Sequence, residues 1–286
     1  MHLNEYDTSR RFEAIVKQSN RITADDAKED VKELVLAIDN PGFSYKVGQS
    51  IGVLVPGPHA MGHPYHFRLY TIARPPQPKL VGTPQIDLCV KRCHYIDEYS
   101  GEHYKGIASN YLCDLQPEDQ ITITGPYGIP FEVPEDKTAN LLMIGLGTGI
   151  APFRAFVKHI YENVGDWKGR VWLFYGPHSG LDLFYMNDKR DDFANYYDEA
   201  TFQAIKALSP RPHWNESASL SRRIEEHQKE VWNMICQPNT CIYIAGHEKI
   251  RDMLDTIFNK MLDSQEKWQR KKAELVAGKR WFEIIY

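Results

Sequence analysis

A chain of 286 residues is long enough for two compact domains, and apolar and charged fractions of 42% and 25% are those of an ordinary globular protein. A formal net charge of −4 argues against a nucleic-acid binder, which would carry a basic excess. No apolar run approaches the length of a membrane span, and the opening MHLNEYDTSRRFEA lacks a signal peptide's apolar segment, so the expected location is cytoplasmic.

The first half alternates. Leu34, Leu36 and Ile38, then Ile86, Leu88 and Val90, then Ile121 and Ile123 recur with period two between Gly/Pro-rich breaks at 41–43, 55–58 and 125–130. That pattern reads as antiparallel strands forming a small barrel. Within it, Arg68-Leu-Tyr70-Thr71 ends a strand, and an arginine, an aromatic ring and a hydroxyl there could pair a phosphate, cover a ring and hydrogen-bond a ring nitrogen. A solvated arginine beside a core tyrosine is the bland alternative. Next come Cys89-Val-Lys91-Arg92 with Tyr95, then Gly106-Ile107-Ala108-Ser109-Asn110, then Gly125-Pro126-Tyr-Gly128. The five cysteines (Cys89, Cys93, Cys113, Cys236, Cys241) contain no Cys-x-x-Cys pair and no Cys-x4-Cys-x2-Cys run. No metal centre is expected, and electrons leaving this chain would need a separate acceptor.

Near Pro134 the character changes. Residues 141–145, 171–176 and 241–246 are continuous apolar runs, each closed by a glycine and followed by a stretch of helical periodicity such as Phe153, Phe156, Val157, Ile160 and Tyr161. Strands apolar on both faces and separated by helices indicate a parallel sheet covered on both sides. The expected domains are therefore 1–134, an antiparallel β-barrel, and 135–286, a parallel-sheet α/β unit. Gly145-Leu-Gly147-Thr148-Gly149-Ile-Ala-Pro152 follows a strand and opens a helix, where backbone N–H groups can approach a pyrophosphate. The spacing is not the G-x-G-x-x-G dinucleotide fingerprint, and a glycine turn by itself also serves tight packing.

Taken in order, these segments, continued by Trp172-Leu-Phe, Tyr243-Ile-Ala-Gly246 and the terminal Tyr286, strongly resemble the plant-type ferredoxin–NADP(+) reductases over about residues 45 to 286. The resemblance implies a barrel that binds noncovalent FAD, followed by an α/β domain that binds NADP(H). By matching position, Arg68 and Ser109 would hold the FAD pyrophosphate, with Cys89, Ile107 and Ala108 in the same cofactor-binding segments. Tyr70 would stack on the isoalloxazine and Tyr95 on the adenine. Thr71 replaces the family's serine near flavin N5. Lys91 would lie near the nucleotide phosphates, Thr148, Gly149 and Gly246 along the nicotinamide nucleotide's path, and Tyr286 over the flavin. There the Tyr286 ring rather than its hydroxyl would do the covering, leaving Tyr286→Phe nearly neutral. Thr71 and Tyr286 are the implied catalytic positions.

Three departures from the family stand out. Ala245 occupies the place of a cysteine, and Ile284 that of a glutamate two residues before the terminal tyrosine. Glu283, one residue earlier, should point to the opposite face of a strand. Thirdly, the family's Ser-Arg reads Ser209-Pro-Arg211 here, and Ser219 aligns with an adenine-stacking tyrosine, leaving Arg211, Arg222 and Arg223 to hold a 2′-phosphate. NADP is the expected nucleotide, with NAD as the alternative.

The implied function is an FAD-dependent oxidoreductase moving electrons between NADP(H) and ferredoxin or flavodoxin, with Lys91, Arg92, Lys279 and Arg280 as candidate docking charges. The alternative is the reductase component of an oxygenase or other multicomponent redox system. A rival from another class is a noncatalytic flavin-binding module, against which the retained Gly147-Thr148-Gly149, Thr71 and Tyr286 count.

Overall fold

The computed structural model describes residues 6–59, 62–77, 82–96, 101–129, 131–177, 183–208 and 216–286, with the backbone alone at 216–219. It divides into two compact units, Met1–Pro130 and Phe131–Tyr286. The division falls ahead of the expected 134/135 because Phe131 and Glu132 dock on the second unit. The Phe131 ring lies 5.1 Å from that of Tyr243, whose hydroxyl donates to the Glu132 carbonyl at 2.6 Å.

The first unit is built on six antiparallel strands: β1 (Arg11–Arg21), β2 (Val31–Ile38), β3 (Ser50–Pro56), β4 (Tyr65–Thr71), β5 (Gln85–Lys91) and β8 (Gln120–Tyr127). They run in the order β4-β3-β8-β1-β2-β5. A bridge between Ile72 and Leu88, backed by the Ala73 N–H donating to the Asp87 carbonyl at 2.8 Å, joins the two edges into a barrel. Leu34, Leu36, Ile38, Ile86, Leu88, Val90, Ile121 and Ile123 all lie in its core, as period-two patterning requires. The outer faces of β2 and β5 differ from a simple solvated face: Val35, Ala37, Asp87 and Cys89 are buried too. Asp87 tolerates this because the Arg74 guanidinium pairs with it at 2.7 Å.

Between β5 and β8 come a short hairpin, β6 (His94–Ile96) with β7 (His103–Lys105), and helix α1 (Ile107–Asp114). The helix turns Ala108, Leu112 and Cys113 into the barrel core. Burial pushes the Cys113 thiol up to about 12, so it behaves as a core residue rather than a nucleophile.

The second unit has a five-stranded parallel sheet, β9 (Asn140–Leu146), β10 (Val171–Gly176), β11 (Phe202–Lys206), β12 (Thr240–Gly246) and β13 (Trp281–Ile285), in the order β11-β10-β9-β12-β13. One face packs on α3 (Glu216–Glu226), α4 (Gln228–Cys236), α5 (Lys249–Leu262) and α6 (Gln265–Ala277), through Leu142, Ile144, Ile242 and Ile244. On the other, Phe156 of α2 (Ile150–Lys158) meets Tyr243 at 4.7 Å between ring centres. Cover on both faces explains why these strands are apolar runs without alternation. The strand order reverses between β9 and β12, so the carboxyl ends of those two strands mark the switch point where ligands of such sheets bind.

Candidate functional site

In the first unit the cofactor candidates gather around the start of α1. Cys93 is the knot: its N–H donates to the Ser109 hydroxyl at 3.1 Å, while its carbonyl accepts from the Gly106 N–H and from the Asn110 amide, each at 2.9 Å. These bonds fix the hairpin root to the helix start. The Asn110 N–H bonds the Gly106 carbonyl, so the N–H groups of Ile107, Ala108 and Ser109 precede the helical ladder, as in any first turn. Strand β4 packs on α1. Arg68 is exposed on β4, and among the described residues its guanidinium forms no ion pair, only a 2.8 Å bond to its own neighbour's carbonyl, Phe67. Tyr70 shares its face, half-buried against the barrel core. Burial pushes its phenol up, with the Cys93 and Cys113 thiols adding to the shift. The Thr71 hydroxyl meets that of Ser50 across the β3–β4 pair at 3.1 Å.

Three expected residues stand apart from this group. Cys89 lies on the outer face of β5, opposite Glu33 and buried. Lys91 is ion-paired with Glu29. Tyr95 stands on the hairpin, 56% exposed. Of the proposed docking charges, Arg92 is held by Asp30 and Asp114, each at 2.8 Å, and Arg280 by Glu274 at 2.9 Å. With Lys91 also paired, three of these four charges are already offset.

In the second unit the glycine turn at 147–149 is a single 3-10 turn running into α2. Gly149 sits so close to β12 that an added Cβ would fall 2.2 Å from the Ala245 carbonyl oxygen. Gly246 closes the same approach from the other side with φ of +147°, a conformation that L side chains rarely adopt. The Tyr175 hydroxyl braces the turn by donating to the Gly147 carbonyl at 2.9 Å while accepting from the Phe184 N–H at 3.2 Å. The sequence conceals that role, because Tyr175 sits in an apolar run and reads as core.

Tyr286 follows β13 and returns to this turn. Its N–H bonds the Gly246 carbonyl at 3.2 Å and its hydroxyl meets that of Thr148 at 2.6 Å, while the residue remains 54% exposed. The hydroxyl therefore has a partner of its own, besides any covering role of the ring. Ala245 and Ile284 are direct neighbours in the β12–β13 register, so both departures from the family fall at one level of the sheet and make one apolar contact. Glu283 is engaged elsewhere, bonded to the Arg251 guanidinium and the Trp281 indole at 2.6 Å each. Ser209 and Arg211 lie outside the described residues. Arg222 and Arg223 both pair with Glu226 on the surface of α3. Such exposed pairs are worth little and leave both guanidinia available to a phosphate.

Behind the turn, buried Arg154 of α2 pairs with Asp192 at 2.6 Å, Arg190 pairs with the same carboxylate, and the Arg154 guanidinium lies 4.7 Å over the Tyr185 ring. Burial alone would raise the Asp192 pKa, but the two guanidinia outweigh it and hold the carboxyl below its usual range. Its stabilising contribution is therefore full above the unfolded value and lost as pH falls through the depressed folded one. Asp192→Asn is expected to cost roughly 3 kcal/mol at pH 7 by leaving Arg154 buried and uncompensated, and to remove part of the acid sensitivity of melting. Thermal melts of both proteins from pH 7 down to 2 check this. Equal melting temperatures at pH 7 would make the cluster energetically neutral.

Comparison with known proteins places this architecture. Residues 143–256 match the family model described as the oxidoreductase NAD-binding domain. Together with the switch-point turn, that match defines the class: an oxidoreductase with a nicotinamide-nucleotide α/β domain. The chain is 32% identical to a protein named ferredoxin–NADP reductase, leaf isozyme 1, chloroplastic, from Oryza sativa subsp. indica, over 99% of this chain and 79% of the rice protein. It is 35% identical to the cyanelle ferredoxin–NADP reductase of Cyanophora paradoxa, over 94% and 74%. A solved structure, the ferredoxin–NADP(+) reductase from Plasmodium falciparum, superposes with a TM-score of 0.72 over 99% of this chain and 98% of that one, at 21% identity. The chain belongs to the ferredoxin–NADP reductase family.

Proposed function

We propose that this chain is an FAD flavoenzyme carrying electrons between NADP(H) and a one-electron carrier, ferredoxin or a flavodoxin. The observation that carries the reading is the pairing of two nucleotide cradles in one chain: the α1 start with unpaired Arg68 on the adjacent strand, and the Gly149 turn with no room for a Cβ. In the first, Arg68, Ser109 and the N–H groups of Ile107 and Ala108 suit a pyrophosphate, Tyr70 and Thr71 the ring system, and Tyr95 the adenine. In the second, Thr148, Gly149 and Gly246 suit the nicotinamide nucleotide. The flavin supplies the conversion between two-electron and one-electron transfer, and the protein's part is to bind, orient and exclude water. The relatives' names favour ferredoxin over an oxygenase component as partner. NADP(H) rather than NAD(H) is the proposed nucleotide, supported by the same names and by Arg222 and Arg223; a related Plasmodium falciparum reductase structure is described as holding 2′P-AMP.

No helix among the described residues is long and apolar enough to cross a membrane. The cytoplasm is the proposed compartment, in keeping with five thiols none of which is in a disulfide.

Rapid mixing of the FAD-loaded protein with NADPH or NADH tests the reading. Bleaching of the flavin absorbance, faster with NADPH, is expected, and a flavin that stays oxidised with both would reduce the protein to a binding module. Arg68→Ala should weaken FAD binding by roughly tenfold to a hundredfold, the range for a lost charge-assisted hydrogen bond. An FAD titration of the apoprotein reads this directly, and unchanged affinity would return Arg68 to a solvated surface residue.

A further inference from the structure

The hairpin before α1 carries a feature that the FAD reading does not use. Tyr95 and Tyr104 are in-register partners on β6 and β7, so their side chains share a face. Their rings are stacked, with centres 5.5 Å apart and planes 19° from parallel. Both remain open, 56% and 42% exposed, beside Ile96 at 58% and Ile107 at 44%. The Tyr104 hydroxyl donates to Glu102 at 2.5 Å, which fixes the direction of that ring. This is apolar surface on a strand pair too short to bury it. It is joined through Cys93 and Gly106 to the same helix start that suits a pyrophosphate.

We infer that Tyr104 is a positioning residue for the FAD adenine, backing one face of Tyr95 so that the opposite face is presented to the base. The inference rests on the FAD reading above and extends it to a residue on the other strand. A lone exposed tyrosine on a three-residue strand samples several rotamers, and ordering it on binding costs entropy. A second ring, itself held by Glu102, restricts Tyr95 before the cofactor arrives. The adenine then adds a third layer to an existing stack. Offset-stacked aromatic contacts of this kind are favourable beyond their buried area.

The test is a double-mutant cycle on FAD affinity, measured by titrating apoprotein and independent of turnover. Tyr95→Ser is expected to raise the FAD dissociation constant about tenfold and Tyr104→Ser about fivefold. Tyr104→Phe should keep most of the affinity and lie between the parent and Tyr104→Ser, because the ring does the backing and the Glu102 bond only steadies it. The deciding point is the pair: Tyr95→Ser with Tyr104→Ser should bind no worse than Tyr95→Ser alone, since a residue acting only through Tyr95 has nothing left to position. Losses that multiply, a Tyr104→Phe variant as weak as the serine one, or a Tyr104→Ser variant that binds like the parent would each overturn the inference. If Tyr104→Ser is silent while Tyr95→Ser is not, the adenine reading survives and only the role of Tyr104 falls. If Tyr95→Ser itself binds FAD normally, the adenine lies elsewhere and both fall together.

Discussion

A Tyr286→Ser variant should bind NADP(+) roughly thirtyfold more tightly than the parent and turn over more slowly. The terminal residue occupies the carboxyl end of the β9–β12 switch point, bonded to the Gly246 carbonyl and to the Thr148 hydroxyl. In the proposed binding mode, a nicotinamide nucleotide approaching that turn has to displace the ring and break the hydroxyl contact. The ring's proposed cover of the flavin and the observed hydrogen bond are each worth on the order of 1 kcal/mol, and together they would lower the apparent affinity by about that thirtyfold factor. Removing both also removes the group that helps expel the product, so release slows. The hydroxyl contribution separates cleanly. Tyr286→Phe deletes that bond while keeping the ring and should tighten binding about fivefold. Equilibrium dialysis with NADP(+), alongside steady-state rates, gives both readouts. Parent-like affinity in the serine variant would make Tyr286 a strand-end residue and no more.

Gly149→Ala is expected to abolish measurable NADP(+) binding and lower the melting temperature, while FAD retention stays at the parent level. The new Cβ would meet the Ala245 carbonyl oxygen at 2.2 Å, its carbon at 2.5 Å and the Gly246 nitrogen at 2.9 Å. All three are backbone atoms of β12 and its end, held by ladders to β9 on one side and β13 on the other, so they cannot yield as a side-chain tip would. The start of α2 must lift instead, which would spoil the turn proposed to face the nucleotide. Overpacking of this kind costs about 1–3 kcal/mol, or a melting shift of several degrees for a chain of this size. Gly176→Ala is the control: its nearest neighbour, the Cβ of Ala207, would be at an ordinary 3.4 Å, so that variant should melt and bind like the parent. Normal NADP(+) affinity in Gly149→Ala would mean that the turn is not the nucleotide site.

The sequence by itself determined the architecture and the chemistry of both halves. Period-two alternation in Leu34–Ile38 and Ile86–Val90 specifies strands with one face in a barrel core, because successive side chains point to opposite faces. Uninterrupted apolar runs at 141–145 and 241–246 specify central parallel strands, since helices cover both faces of such a sheet. The ordered motifs from Arg68 to Tyr286 carried the family. Tertiary structure alone decided the partners. Nothing local shows that Tyr104 lies against Tyr95, that Lys91 is taken by Glu29, or that Asp192 holds Arg154, because their pairings depend on register and on chain segments far apart in sequence. The same holds for Ala245 and Ile284, which look like two separate losses along the chain and prove to be one contact between adjacent strands. It holds too for the Tyr286 hydroxyl, whose bond to Thr148 arises only because β13 runs parallel to β12 and delivers the last residue to the turn that β9 begins. Side-chain type and spacing limit what a residue can do, whereas the atom it meets is set by how strands are ordered in the sheet.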